Sequence, residues 1–110
     1  MIEKIVLDYL QEALSVPVYM EHPIQKPESY VLLEKTGSAR DDFISTATVA
    51  IQSYAKSLHE AAQLNEVVKE KMDNIVTLDA IMGARLNTDY NFTDTETKRY
   101  RYQAVYDLFY

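Results

Sequence analysis

Glu96-Thr97-Lys98, with Asp94 beside it and Asp79 and Asp89 upstream, holds the residue types with which a metal-dependent nuclease works. Two carboxylates can hold Mg²⁺ while a lysine orients the attacking water. Such sites sit on central strands of a larger α/β core, whereas these residues fall in a turn. Asp, Thr and Glu are ordinary solvated residues there. Asp41-Asp42, in another turn region, has the same explanation. His22 lies in a proline loop and His59 just inside a helix, and both read as surface histidines. Neither stands in the Gly-x-Ser-x-Gly setting of a hydrolase elbow. Cysteine is absent, which removes thiol nucleophiles, disulfides and thiolate metal sites. Two glycines cannot build a phosphate-cradling loop. The expectation is a chain that is not an enzyme, with no catalytic, cofactor-binding or metal-ligating residues.

The 110 residues suffice for one domain with a real but small core. An apolar fraction of 47% and only three prolines argue against low-complexity disorder. The net charge of −6 divides as −4 over residues 1–55 and −2 over 56–110. Lys98, Arg99 and Arg101 form the one basic cluster, beside Asp94 and Glu96, so tight nucleic-acid binding is not expected. Nine tyrosines and no tryptophan suit half-buried sheets and protein interfaces. The acidic first residues do not suit a signal peptide, and no run approaches a membrane span. A cytosolic chain is therefore expected, in which the sequon Asn91-Phe92-Thr93 carries no meaning.

The elements follow from periodicity. Ile2, Ile5, Val6, Tyr9, Leu10 and Ala13 fall at helical spacing over residues 2–14. Val18–Glu21 reads as a short edge strand, with Pro17 tolerated at its start. Tyr30–Lys35 and Phe43–Ser53 read as a hairpin around a turn at Thr36–Asp42, with Phe43, Ala47, Val49 and Ile51 on the apolar face. Ser57-Leu-His-Glu60 is a capping box opening a helix to about Ile75 that buries Leu58, Ala61, Leu64 or Asn65, Val68 and Met72. Gly83 is expected to mark a bulge or bend before a strand with Leu86, Thr88, Tyr90 and Phe92 on one side. Last, Thr97–Tyr110 alternates strictly, placing Tyr100, Tyr102, Ala104, Tyr106, Leu108 and Tyr110 opposite Arg99, Arg101, Gln103, Val105, Asp107 and Phe109. At the extended rise it would span roughly 45 Å, more than a small sheet can pair, so it either bends or serves contacts between chains. The order α-β-β-β-α-β-β gives an α+β two-layer domain, a mainly antiparallel sheet with both helices on one face. The tyrosines and threonines are expected on the uncovered face.

This ordered set is similar to the tail-completion or tail-terminator proteins of long-tailed bacteriophages and prophages. The resemblance rests on the short amphipathic helix, the Val16-Pro-Val-Tyr19 entry, the hairpin, the capped second helix and the strand Lys98-Arg-Tyr-Arg-Tyr-Gln-Ala-Val-Tyr106. Its specific part is Thr93–Tyr106. The resemblance implies a non-catalytic protein without cofactor that forms a ring, typically hexameric, at the head-proximal end of the tail tube. There it would stop tube growth and dock the head connector. Its partners would be itself, the tail tube protein and the head-completion or connector protein, with no membrane. DNA would pass through a ring whose acidic balance does not grip it. Its place would be the host cytoplasm during assembly and the virion neck afterwards, and the isolated subunit can be a monomer. The residues themselves suggest an interface through Arg99, Arg101, Tyr100, Tyr102 and Tyr106, with Arg99 and Arg101 pairing with Asp41 and Asp42 of a neighbour. Solvated strand residues are an equal reading, because most surface ion pairs contribute little. A head-side neck protein and a cytosolic protein-binding adaptor remain as alternatives.

Overall fold

The computed structural model describes residues 1–97 and 99–110. The first helix, α1 (Ile2–Ala13), buries Ile2, Val6 and Leu10, the i, i+4, i+8 stripe of its sequence. A two-residue strand, β1 (Val18–Tyr19), follows. Next come β2 (Tyr30–Asp41) and β3 (Ile44–Ala55), twelve residues each. Helix α2 (Leu58–Asp73) opens as its sequence requires, the Ser57 hydroxyl accepting the Glu60 N–H at 3.2 Å. It buries Ala61, Asn65, Val68 and Met72, and a 3₁₀ turn at Ile75–Thr77 continues it. Strands β4 (Gly83–Asn91) and β5 (Tyr100–Phe109) complete the chain.

The fold is α+β, a five-stranded sheet in the order β1-β2-β3-β5-β4. All pairs are antiparallel except β1 with β2. The register Ala47↔Leu108, Val49↔Tyr106 and Ile51↔Ala104 aligns the apolar residues of β3 and β5 on one face. Val31 and Leu33 join them, and α1 and α2 supply Val6, Leu10, Val68 and Met72 to the same core. The opposite, open face carries a separate small cluster of Tyr30, Leu32 and Tyr54, with Tyr19 packed against it. No described helix is long and apolar enough to cross a membrane.

Four local expectations change. Thr36–Asp41 is strand rather than turn: pairing with β3 continues to Asp41↔Ile44, and an extra residue at Thr36 is absorbed as a bulge. The reversal is the two residues Asp42 and Phe43, both at positive φ (48° and 69°). Phe43 is thus taken off the apolar face of β3 and is 90% exposed. Leu58, at the first position of α2, is exposed, and Asn65 takes the buried position. The β4 bulge falls between Leu86 and Thr88, while Gly83 lies in the strand with a would-be Cβ 3.4 Å from the Phe109 ring. Finally, β5 spans ten residues and pairs along its length with both β3 and β4, so its backbone has no edge to offer another chain.

Candidate functional site

The outer half of β2 and the turn after it make an exposed arm, while β3 beside them stays paired with β5 as far as Ser45 with Tyr110. β1 pairs only with Val31 and Leu32, so from Lys35 outward β2 has a free edge among the described residues. Every residue from Glu34 to Ile44 is exposed, and the molecule measures 44 × 24 × 24 Å. The register places Asp41 opposite Ile44 on the open face, while Arg40 pairs with Ser45 and faces the other way. A tight two-residue hairpin turn favours Asn-Gly or Asp-Gly because both central residues need positive φ. Asp tolerates that geometry, whereas Phe is an outlier in it. The arm therefore presents an aromatic ring in a strained conformation at its apex, flanked by two carboxylates.

At the other end of the same face is a cation–aromatic cluster. Tyr30 and Tyr54, paired across β2 and β3, stack with centroids 4.6 Å apart and planes 7° apart. His22, from the proline loop, meets both edge-on at 6.3 and 5.6 Å. Arg99 lies over both rings at 5.8 and 5.4 Å and donates to the Tyr30 hydroxyl at 2.9 Å. Arg101 lies between Tyr54 and Phe92, donating to the Tyr54 hydroxyl at 2.8 Å and to the Phe92 carbonyl. Such cation–ring contacts fix where the guanidinium planes lie. Around them is a cavity of about 320 Å³ lined by His22, Lys26, Tyr54, Asp94 and the two arginines, with the exposed Thr97 at its rim. A second hollow of about 210 Å³ shares Lys26 and Arg99 and adds Lys56.

The charges around the two hollows are mostly positive, with one carboxylate in the lining of each, Asp94 in the first and Glu28 in the second. Among the described residues neither arginine, nor Lys26, nor Lys56, forms a salt bridge. Asp94 is engaged by its own turn, accepting the backbone N–H of Glu96 at 3.0 Å and of Thr97 at 3.5 Å. The Thr97 side chain first, then the Glu96 N–H, holds its carboxyl below the usual range, and the charge of Arg101 adds to the effect. Desolvation lowers the His22 pKa, and the charges of Lys26, Arg99 and Arg101 lower it further. Both effects favour the neutral form of the ring. A chain of side-chain bonds runs from the cluster across the open face: Tyr54 to Gln52 at 3.1 Å, Gln52 to Gln103 at 2.8 Å, and Gln103 to Tyr90. It ties β3, β5 and β4 together and holds the floor of the cavity rigid.

The expected site residues divide between the two faces. Arg99 and Arg101 stand together on the open face, and Asp41 and Asp42 lie at the far end of the arm. Tyr106 is on the covered face, fully buried, where its hydroxyl donates to Asp73 at 2.9 Å and to the Lys69 carbonyl at 3.2 Å. It is a core residue, because α2 offers its phenol hydrogen-bond partners. Burial, then Asp73, pushes its pKa far above the ordinary value. Tyr100 and Tyr102 share its side of the strand and are half-buried. The nuclease-type carboxylates are not gathered. Asp89 faces α2 and is bound by Asn65 and Lys69, both at 2.9 Å. Asp94 and Glu96 occupy the turn, Asp79 follows the 3₁₀ segment, and Lys98 lies outside the described residues. No group of three His, Asp or Glu among the described residues is placed to hold a metal ion. A wider hollow of about 480 Å³ between α2 and β4 is lined by Glu66, Glu70, Asp73 and the paired Lys69.

Sequence reading missed Phe43, Tyr30, Tyr54, His22 and Lys26. Only the cross-strand register and the folding back of the proline loop bring the last four beside Arg99 and Arg101. No protein-family profile matches the chain, and no curated protein matches it.

Proposed function

We propose that this chain is a non-catalytic structural subunit. In this reading it self-associates into a ring, caps the head-proximal end of a phage tail tube and joins the tail to the head connector. The observation that carries it is the exposed outer half of β2, from Glu34 to Asp41 along a free edge, and the turn beyond it with a bare Phe at its apex. A bare aromatic ring at such an apex gains burial only against a neighbour's surface. The resemblance of Thr93–Tyr106 to tail-terminator proteins supplies the setting, with the tail tube and the connector as partners. The isolated chain is expected to be monomeric or weakly associated, and to assemble when a tube end is present.

The test is the mass of the purified chain, alone and then mixed with tail tubes, with the tube ends imaged. Closed rings, or tubes that stop growing with the chain on one end, are the expected result. A chain that stays monomeric and leaves tubes uncapped would overturn the reading.

A further inference from the structure

We infer that the hairpin apex of one copy, Asp41-Asp42-Phe43, docks into the cavity between His22, Tyr54, Arg99 and Arg101 of the next copy. This deepens the self-association part of the reading above and rests on it.

Three observations converge. The apex and the cavity are complementary: carboxylates and an aromatic ring at one, guanidinium groups over an aromatic floor at the other. Each Arg fork spends some donors on Tyr hydroxyls and keeps others for a carboxylate, the geometry in which Arg binds best. Second, both features lie on the open face, since the register that puts Asp41 there turns Arg40 away. Third, they cannot meet within one chain. Ile44 and Tyr54 sit ten residues apart along β3, roughly 33 Å at the strand rise. The contact is therefore between copies; a reciprocal two-fold pair would leave neither feature free, whereas the ring reading takes it head to tail, leaving one free apex and one free cavity. Repetition builds a ring or a filament. The positive φ of Phe43 has a role in this arrangement, because it points a bulky ring out of the turn.

The cysteine-free sequence makes the test clean. Chains carrying Ile44→Cys, beside the apex, are mixed with chains carrying Thr97→Cys, at the cavity rim, and mildly oxidised. The mixed disulfide is expected in excess over both homodimers. Adding Asp41→Lys and Asp42→Lys to the first chain should cut it roughly tenfold, and Arg99→Glu with Arg101→Glu in the second should restore it. Phe43→Gly relieves the turn and so keeps the fold, and it too should lose the cross-link. Mixed product at or below the random share, or yields indifferent to charge reversal, would overturn the contact. Rings on tail tubes that persist in the Asp41→Lys, Asp42→Lys chain would overturn this contact and leave the ring reading standing. A charge-dependent cross-link in a chain that leaves tubes uncapped would support the contact and sink the tail role.

Discussion

At Phe43 the backbone conformation works against the stability of the fold. A bulky side chain at φ 69° is held against its own preference by the two strands that flank it. Glycine adopts that geometry freely but loses more entropy on folding. Phe43→Gly is therefore expected to raise stability by a net of about 0.5–1 kcal/mol, read as a higher urea midpoint at unchanged slope. Ser53 offers a second test. Its hydroxyl is fully buried with no hydrogen-bond partner among the described residues. Removing an orphan polar atom costs no bond, so Ser53→Ala is expected to be neutral or up to about 1 kcal/mol stabilising. A midpoint lower than that of the unmodified chain would mean that the hydroxyl has a partner. Neither residue stood out in the sequence. Phe43 fits the apolar alternation of β3, and only the position of the turn removes it from that face.

Among the elements, α2 is the one whose placement is most closely specified. Its Ser57 cap is legible in the sequence, and Ser57→Ala is expected to cost about 1 kcal/mol, measurable by thermal unfolding. The Glu60 half of the capping box does not form, since its Oε2 is buried without a partner. The helix is tied to β4 by Lys69 and Asn65 on Asp89. The Lys69 hydrogen bond first, then Asn65, holds the Asp89 pKa below its ordinary value, against the opposing effect of burial. The hydrogen bonds that Lys69 donates to Glu66 and then to Asp89 raise its pKa. A carboxylate depressed in the folded state adds stability above its unfolded pKa and loses it as pH falls through the folded one. Asp89→Asn should therefore cost about 1–2 kcal/mol near pH 7, and progressively less as pH falls below the ordinary carboxylate range toward the depressed folded pKa of Asp89. Lys69 keeps its contribution until pH rises through its raised pKa in strong alkali. Urea midpoints of both chains between pH 3 and 7 check this, and a constant difference would refute it. The edges are equally specific. The free stretch of β2 carries a bulge, Lys35 and Arg40, and β4 carries a bulge and Arg85, devices that discourage indiscriminate strand addition. Self-association through side chains at the apex suits such edges better than sheet extension does.

At the scale of the whole molecule, the order α-β-β-β-α-β-β, the antiparallel hairpin, the capped second helix and the helices on one face were all readable. They rest on local signals: a period of 3.6 or 2, a serine cap, a proline stop. Those signals are properties of neighbouring residues and need no knowledge of the rest of the chain. The site was only half readable: the alternation of β5 put Arg99 and Arg101 on one face, but the expectation that the β5 tyrosines lie on the uncovered face is reversed, since their side of the strand is the one the helices cover. That choice depends on the summed burial of Ala104, Tyr106 and Leu108 against α1 and α2, and it turned the tyrosines inward and the arginines outward. The central position of β5, the bulge that carries β2 past Thr36, and the meeting of His22, Tyr30, Tyr54, Arg99 and Arg101 join residues up to 79 positions apart. Their energies exist only after the sheet has closed. The sequence by itself thus determined which segments are helix or strand and which of their side chains alternate. The tertiary structure alone decided which alternation is core, where the chain turns, and that an aromatic acidic apex and a cationic aromatic cavity stand at opposite ends of one face.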